Sequence, residues 1–69
     1  MNNAIAVSSS MMDAVRYDDA SKMLGIHFIG EGWYSYFNVS KPIYLGLVSA
    51  PSKGRYFHSY IKDHYRFAH

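Results

Sequence analysis

From Val15 onward the apolar positions fall on alternate residues, first Val15 and Tyr17, then Leu24, Ile26 and Phe28 with Gly25 and His27 between them. A period of two marks a strand with one buried face. The intervening Asp18-Asp19-Ala20-Ser21 is rich in short polar side chains that bond to nearby backbone, so it predicts a turn and its flanks a hairpin. Gly30-Glu31-Gly32 predicts a second turn, and Trp33 to Val39, dense in β-favouring residues, a third strand. Closing that hairpin around Glu31 sets Phe28 opposite Tyr34, Ile26 opposite Tyr36 and Leu24 opposite Asn38. Leu24, Ile26, Phe28, Tyr34 and Tyr36 then share one face, and His27, Ile29, Trp33, Ser35 and Phe37 the other.

After residue 40 the period changes. Ser40 is suited to cap a helix and Pro42 to its first turn, while Ile43, Tyr44, Leu47 and Val48 follow at helical spacing until Ala50-Pro51 ends the element. A second helix is predicted from Ser52, with Phe57, Ile61 and Tyr65 on one stripe and Tyr56 and Tyr60 beside it. The expected fold is α+β: a three-stranded antiparallel β-meander followed by two helices packed on one face, in the order βββαα. Residues 1–8 are expected to form a flexible N-terminal segment and residues 9–69 a single domain.

Composition narrows what holds such a domain together. At 69 residues without cysteine, a single small core has no disulfide or thiolate to support it. Seven Tyr, four Phe and one Trp must therefore supply most of the buried area. The first residues lack a basic leader, and their apolar run is too short for a signal peptide or a membrane span, which implies a cytoplasmic address. Charge is uneven: Lys53, Arg55, Lys62 and Arg66 face only Asp63 in the last 19 residues, whereas the rest of the chain is slightly acidic. An anionic partner is the functional reading of that asymmetry, and a solvated helix face the plain one.

The densest site candidate is Ser52-Lys53-Gly54-Arg55, which puts a hydroxyl, a glycine and two cations at a helix start, where unpaired backbone N–H groups favour an anion. Ser52 equally suits a simple N-cap, and Gly54 a packing role. Trp33, Phe37 and His27 on the outer face, together with Tyr56, are candidates for base stacking or a protein interface. Tyr34 and Tyr36 belong to the inner face, so packing with their hydroxyls at the rim is expected of them. His58 and His64 diverge around a helix, and no nucleophile elbow or clustered ligand set occurs, which argues against a metal, a cofactor and an enzymatic role.

The ordered set Tyr17-Asp18, Leu24, Phe28, Tyr34-Ser35-Tyr36, Val39, Tyr44, Leu47, Ala50, Ser52, Gly54, Tyr56-Phe57, Ile61 and Tyr65 resembles the KTSC domain family, over roughly residues 9 to 67. These small bacterial and phage domains are named for their occurrence at the C-terminus of some lysyl-tRNA synthetases. The resemblance implies RNA binding as an activity. The chain departs from the family pattern at Ser40, where a proline is usual, at Glu31, where a hairpin glycine is usual, and at His58, which replaces a common asparagine.

Together these readings make the chain a non-enzymatic binding domain for RNA or another phosphate-bearing polymer. Ser52, Lys53, Gly54, Arg55, Lys62 and Arg66 would contact phosphate, and Trp33 or Tyr56 would stack a base. The alternatives are a protein-interaction module, such as a phage accessory protein holding a host factor by its aromatic surface, and a binder of a small phosphate compound at the Ser52 to Arg55 turn.

Overall fold

A computed structural model of the chain describes residues 4–69, so the part of the expected N-terminal segment at residues 1–3 lies outside the described residues. The sheet is an antiparallel meander of five strands: β1 (Ile5–Ala6), β2 (Met12–Asp18), β3 (Met23–Phe28), β4 (Gly32–Tyr36) and β5 (Phe67–Ala68). Between β4 and β5 come α1 (Lys41–Ser49) and α2 (Lys53–Tyr56), the latter continuing as a π-helical turn over Phe57–Ile61. The α+β class stands, but the sheet has two more strands than expected. Both are two-residue edge strands with exposed side chains, β1 pairing Ile5 with Val15 and β5 pairing Phe67 with Tyr36. Backbone pairing holds them in place, and a hydrophobic pattern cannot announce it.

The β2–β3 hairpin forms where Asp18 accepts hydrogen bonds from Ala20 N at 3.3 Å and Ser21 Oγ at 2.7 Å, and Lys22 takes a left-handed conformation at φ 57°. The Ser21 hydroxyl above all holds the Asp18 carboxyl below its ordinary range. Near its start β2 carries a bulge between Met12 and Ala14. One extra residue there lets Met12 and Val15 both point into the core despite their odd spacing.

The second hairpin turns about Gly30, at φ 83°, and not about Glu31. Its register pairs Leu24 with Tyr36, Ile26 with Tyr34 and Phe28 with Gly32, two residues from the expected pairing. A slip of two leaves every side chain on its expected face, so the face assignment survives the wrong register. Asn38, left-handed at φ 59°, then leads the chain off the sheet, and the following Val39 is fully buried.

Pro42 occupies the first turn of α1, although the Ser40 side chain makes no capping bond. Tyr44 and Leu47 face the sheet. Gly46 is required by a close approach: a Cβ there would collide with the Tyr56 ring, whose hydroxyl donates to Ile43 O at 3.0 Å. The second helix stops earlier than its stripe suggests. Lys62 N donates to Phe57 O at 2.8 Å, closing a π-turn that keeps Phe57 and Ile61 both buried. Lys62 is already extended, and Asp63, at φ 67°, belongs to the turn after it. Tyr65 reaches the core edge from the returning tail and not from a helix. That tail is tied to the sheet by Phe37 N donating to Arg66 O at 2.9 Å.

Candidate functional site

Where the β3–β4 hairpin, the π-turn and the returning tail meet, a cleft of about 570 Å³ opens. Phe28, Tyr34 and Tyr36 reach it from the sheet, Phe57 from the π-turn and Phe67 from β5. Ser10 and Met11 come from the β1–β2 loop, and Ile29 and Glu31 from the hairpin turn. Lys62 and Asp63 add charged groups and His58 an imidazole. Alternation along β4 explains why Tyr34 and Tyr36 arrive on one side. The arrival of Phe67 depends on the chain reversal that follows Ile61.

The rings are ordered by depth. Phe57 stands edge-on to Phe28 at 5.2 Å and to Tyr36 at 5.7 Å, the geometry in which a positive ring edge meets a negative face. Farther out the rings lie flatter, with Phe67 against Tyr36 at 5.5 Å and 30°, and His69 against Tyr34 at 4.3 Å and 20°. His69 is oriented by a 2.9 Å bond between its Nε2 and Glu31 O. The Tyr34 hydroxyl donates to Glu31 Oε1 at 3.3 Å. Burial pushes the Tyr36 hydroxyl up to about 12, with smaller contributions from Tyr34 and Glu31.

Of the residues singled out in the sequence for phosphate, Lys62 alone lines this cleft. Ser52 Oγ accepts from Arg55 N at 3.4 Å, so the hydroxyl acts as the helix N-cap. Lys53 Nζ turns back to donate to Ala50 O at 2.9 Å, which sets it on the end of α1. Gly54 packs near Met11, with 3.6 Å between a Cβ at that position and Met11 Sδ. Arg55 is exposed in α2, His58 is exposed in the π-turn, and Lys62 follows the turn in extended conformation. Arg66 is exposed in the tail, outside any helix.

The outer-face candidates form a separate cluster. The Arg16 guanidinium lies 4.3 Å over the Trp33 ring, and His27 meets the same ring edge-on at 5.2 Å. Gly25 lets Arg16 cross to Trp33, since a Cβ there would stand 3.0 Å from Arg16 Cγ. His27 Nδ1 is 2.7 Å from Asp13 Oδ1. One face of Trp33 is thus covered by the protein's own cation. Phe37 is exposed immediately after the end of β4, and Tyr56 is half-buried against Tyr60 at 4.7 Å. The sequence reading did not connect Phe28, Tyr36, Phe57, His58 and Phe67 as one site. The Tyr34-Ser35-Tyr36 alternation was the visible signal for part of it. Among the described residues no cluster of three or more His, Asp or Glu is placed to hold a metal ion, and no helix is long and apolar enough to cross a membrane.

The fold is shared with the crystal structure of the KTSC domain protein YPO2434 from Yersinia pestis, at a TM-score of 0.95 and 34% identity over 99% of this chain and 96% of that one. A lysine–tRNA ligase of Nostoc sp. is 36% identical over 58 residues, which are 84% of this chain and 10% of the ligase. A protein of Tsukamurella paurometabola is 33% identical over 60 residues, covering 87% of this chain and 90% of that protein. The chain therefore spans about a tenth of the ligase it matches but nearly all of the two smaller relatives. The KTSC domain model matches residues 8–65, and with these relatives it establishes that the chain belongs to the KTSC domain family.

Proposed function

We propose that this domain binds single-stranded RNA and catalyses no reaction on it. The observation that carries the reading is the meeting of Lys62 and His58 with the aromatic cleft. A strand of RNA needs cations for its phosphates and flat apolar faces for its bases, and it needs them side by side. Arg55 in α2 and Arg66 in the tail add further exposed charges outside the cleft. The likeness to a segment of a lysine–tRNA ligase supports an RNA partner, and with it a cytoplasmic place of action.

The test is oligonucleotide binding measured across a salt series. Each lost phosphate contact lowers the slope of log affinity against log salt by about 0.7 for a single strand, so Arg55→Gln with Lys62→Gln should lower it by about 1.4. Lys53→Gln should change it little, because that ammonium already serves Ala50 O. Absence of salt-sensitive binding by the parent protein overturns the reading. A protein partner is the second reading, favoured by Ile29 and Phe67, which are 51% and 58% exposed at the cleft. Such binding, carried by apolar burial, would persist at high salt.

A further inference from the structure

We infer that the cleft is a pocket for one unstacked nucleobase, held against its aromatic lining and hydrogen-bonded by the Tyr36 hydroxyl; the inference rests on the RNA-binding reading. The hydroxyls of Tyr17, Tyr34 and Tyr56 donate to Val39 O, Glu31 Oε1 and Ile43 O. Tyr36, only 5% exposed, has no such partner among the described residues. No side-chain oxygen or nitrogen sealed from solvent is left unpaired among those residues, so the Tyr36 oxygen keeps some contact with solvent, and its residue lines the cleft. A polar atom at the bottom of an apolar pocket, able both to donate and to accept, is what fixes the orientation of a planar heterocycle.

The lining suits the same occupant. Phe57 packs edge-on against Tyr36 and Phe67 lies nearly parallel to it, so the rings form one continuous aromatic surface on which a flat ring can stack. At about 570 Å³ the cleft falls within the range of pockets that take small organic groups. The charged groups around it are the Lys62 ammonium and the Glu31 and Asp63 carboxylates, with the His58 imidazole beside them. Lys62 is placed for the phosphate of the bound nucleotide, while the carboxylates can accept from exocyclic amino groups. A nucleotide within a strand is favoured over an isolated base, because its phosphate can engage the Lys62 ammonium at the cleft.

The test is a thermodynamic cycle between protein and RNA. Tyr36→Phe removes one oxygen, and an abasic residue at the centre of a short single-stranded RNA removes one base. The parent should bind the intact RNA about tenfold or more tightly than the abasic one, as stacking of one base implies. Tyr36→Phe should weaken binding of the intact RNA about fivefold and leave binding of the abasic RNA unchanged. 2-Aminopurine at the central position should change its fluorescence on binding, a readout that needs no variant even if Tyr36→Phe folds poorly. Salt-sensitive binding that ignores both the base and the hydroxyl overturns the pocket and leaves RNA binding standing. No salt-sensitive RNA binding by the parent protein overturns the RNA reading itself.

Discussion

Tyr17 and Tyr36 sit on the same face of one sheet and are almost equally buried, at 3% and 5% exposure, yet they do opposite things with their hydroxyls. Tyr17 stacks on Tyr44 at 4.9 Å and 9° and donates to the carbonyl of Val39, closing the point where the chain leaves the sheet. Tyr36 lies between an edge-on Phe57 and a near-parallel Phe67 in the cleft lining, and its hydroxyl has no hydrogen-bond partner among the described residues. One end of the core is sealed and internally satisfied; the other keeps a polar atom in reserve. Burial therefore does not separate tyrosines whose hydroxyls are used within the fold from those whose hydroxyls are not. What the hydroxyl meets does.

The largest effect expected from breaking this arrangement is that of Phe57→Ala, which removes the ring between Phe28 and Tyr36. It should cost about 3–5 kcal/mol in chemical denaturation and leave so small a domain largely unfolded. Comparison of the two tyrosines comes next. Tyr17→Phe leaves the Val39 carbonyl without its donor and should lower stability by about 1–3 kcal/mol, whereas Tyr36→Phe should change it by less than about 0.5 kcal/mol. Equal losses in parallel denaturant titrations would mean that the Tyr36 hydroxyl is structural after all.

Alkaline titration sharpens the same contrast. The Tyr36 hydroxyl ionises near 10 in the unfolded chain and only at about 12 in the fold, where burial keeps it neutral. Its contribution is complete below pH 10 and is lost as pH rises from 10 to 12, because there the unfolded state binds fewer protons. Tyr17, raised first by burial and then by Asp19 and Asp18, acts in the same sense. Melting temperatures across that window should fall less steeply for Tyr36→Phe than for the parent. The smallest effect expected is that of removing residues 1–6, which deletes the exposed β1. A drop of no more than a few degrees is expected, and a larger one would make the edge strand part of the core.

The elements legible in the sequence are those whose causes are local. Alternation at Val15, Tyr17, Leu24, Ile26 and Phe28 determined the strands and the buried face, since a period of two has one inward side whatever the exact pairing. Asp18, Gly30 and Pro42 marked two turns and a helix start through preferences of a single residue. Only the tertiary structure decided the register, because shifts of two residues bury the same side chains and the choice fell to the backbone at Gly30. It also decided the π-turn at Phe57–Ile61, since a four-residue spacing fits a continued α-helix as well, and the pairing of Phe67 with Tyr36, which joins residues 31 apart in the chain. The cleft depends on all three decisions. Its aromatic walls come from two adjacent strands, the π-turn and the tail, so no local preference could bring them together.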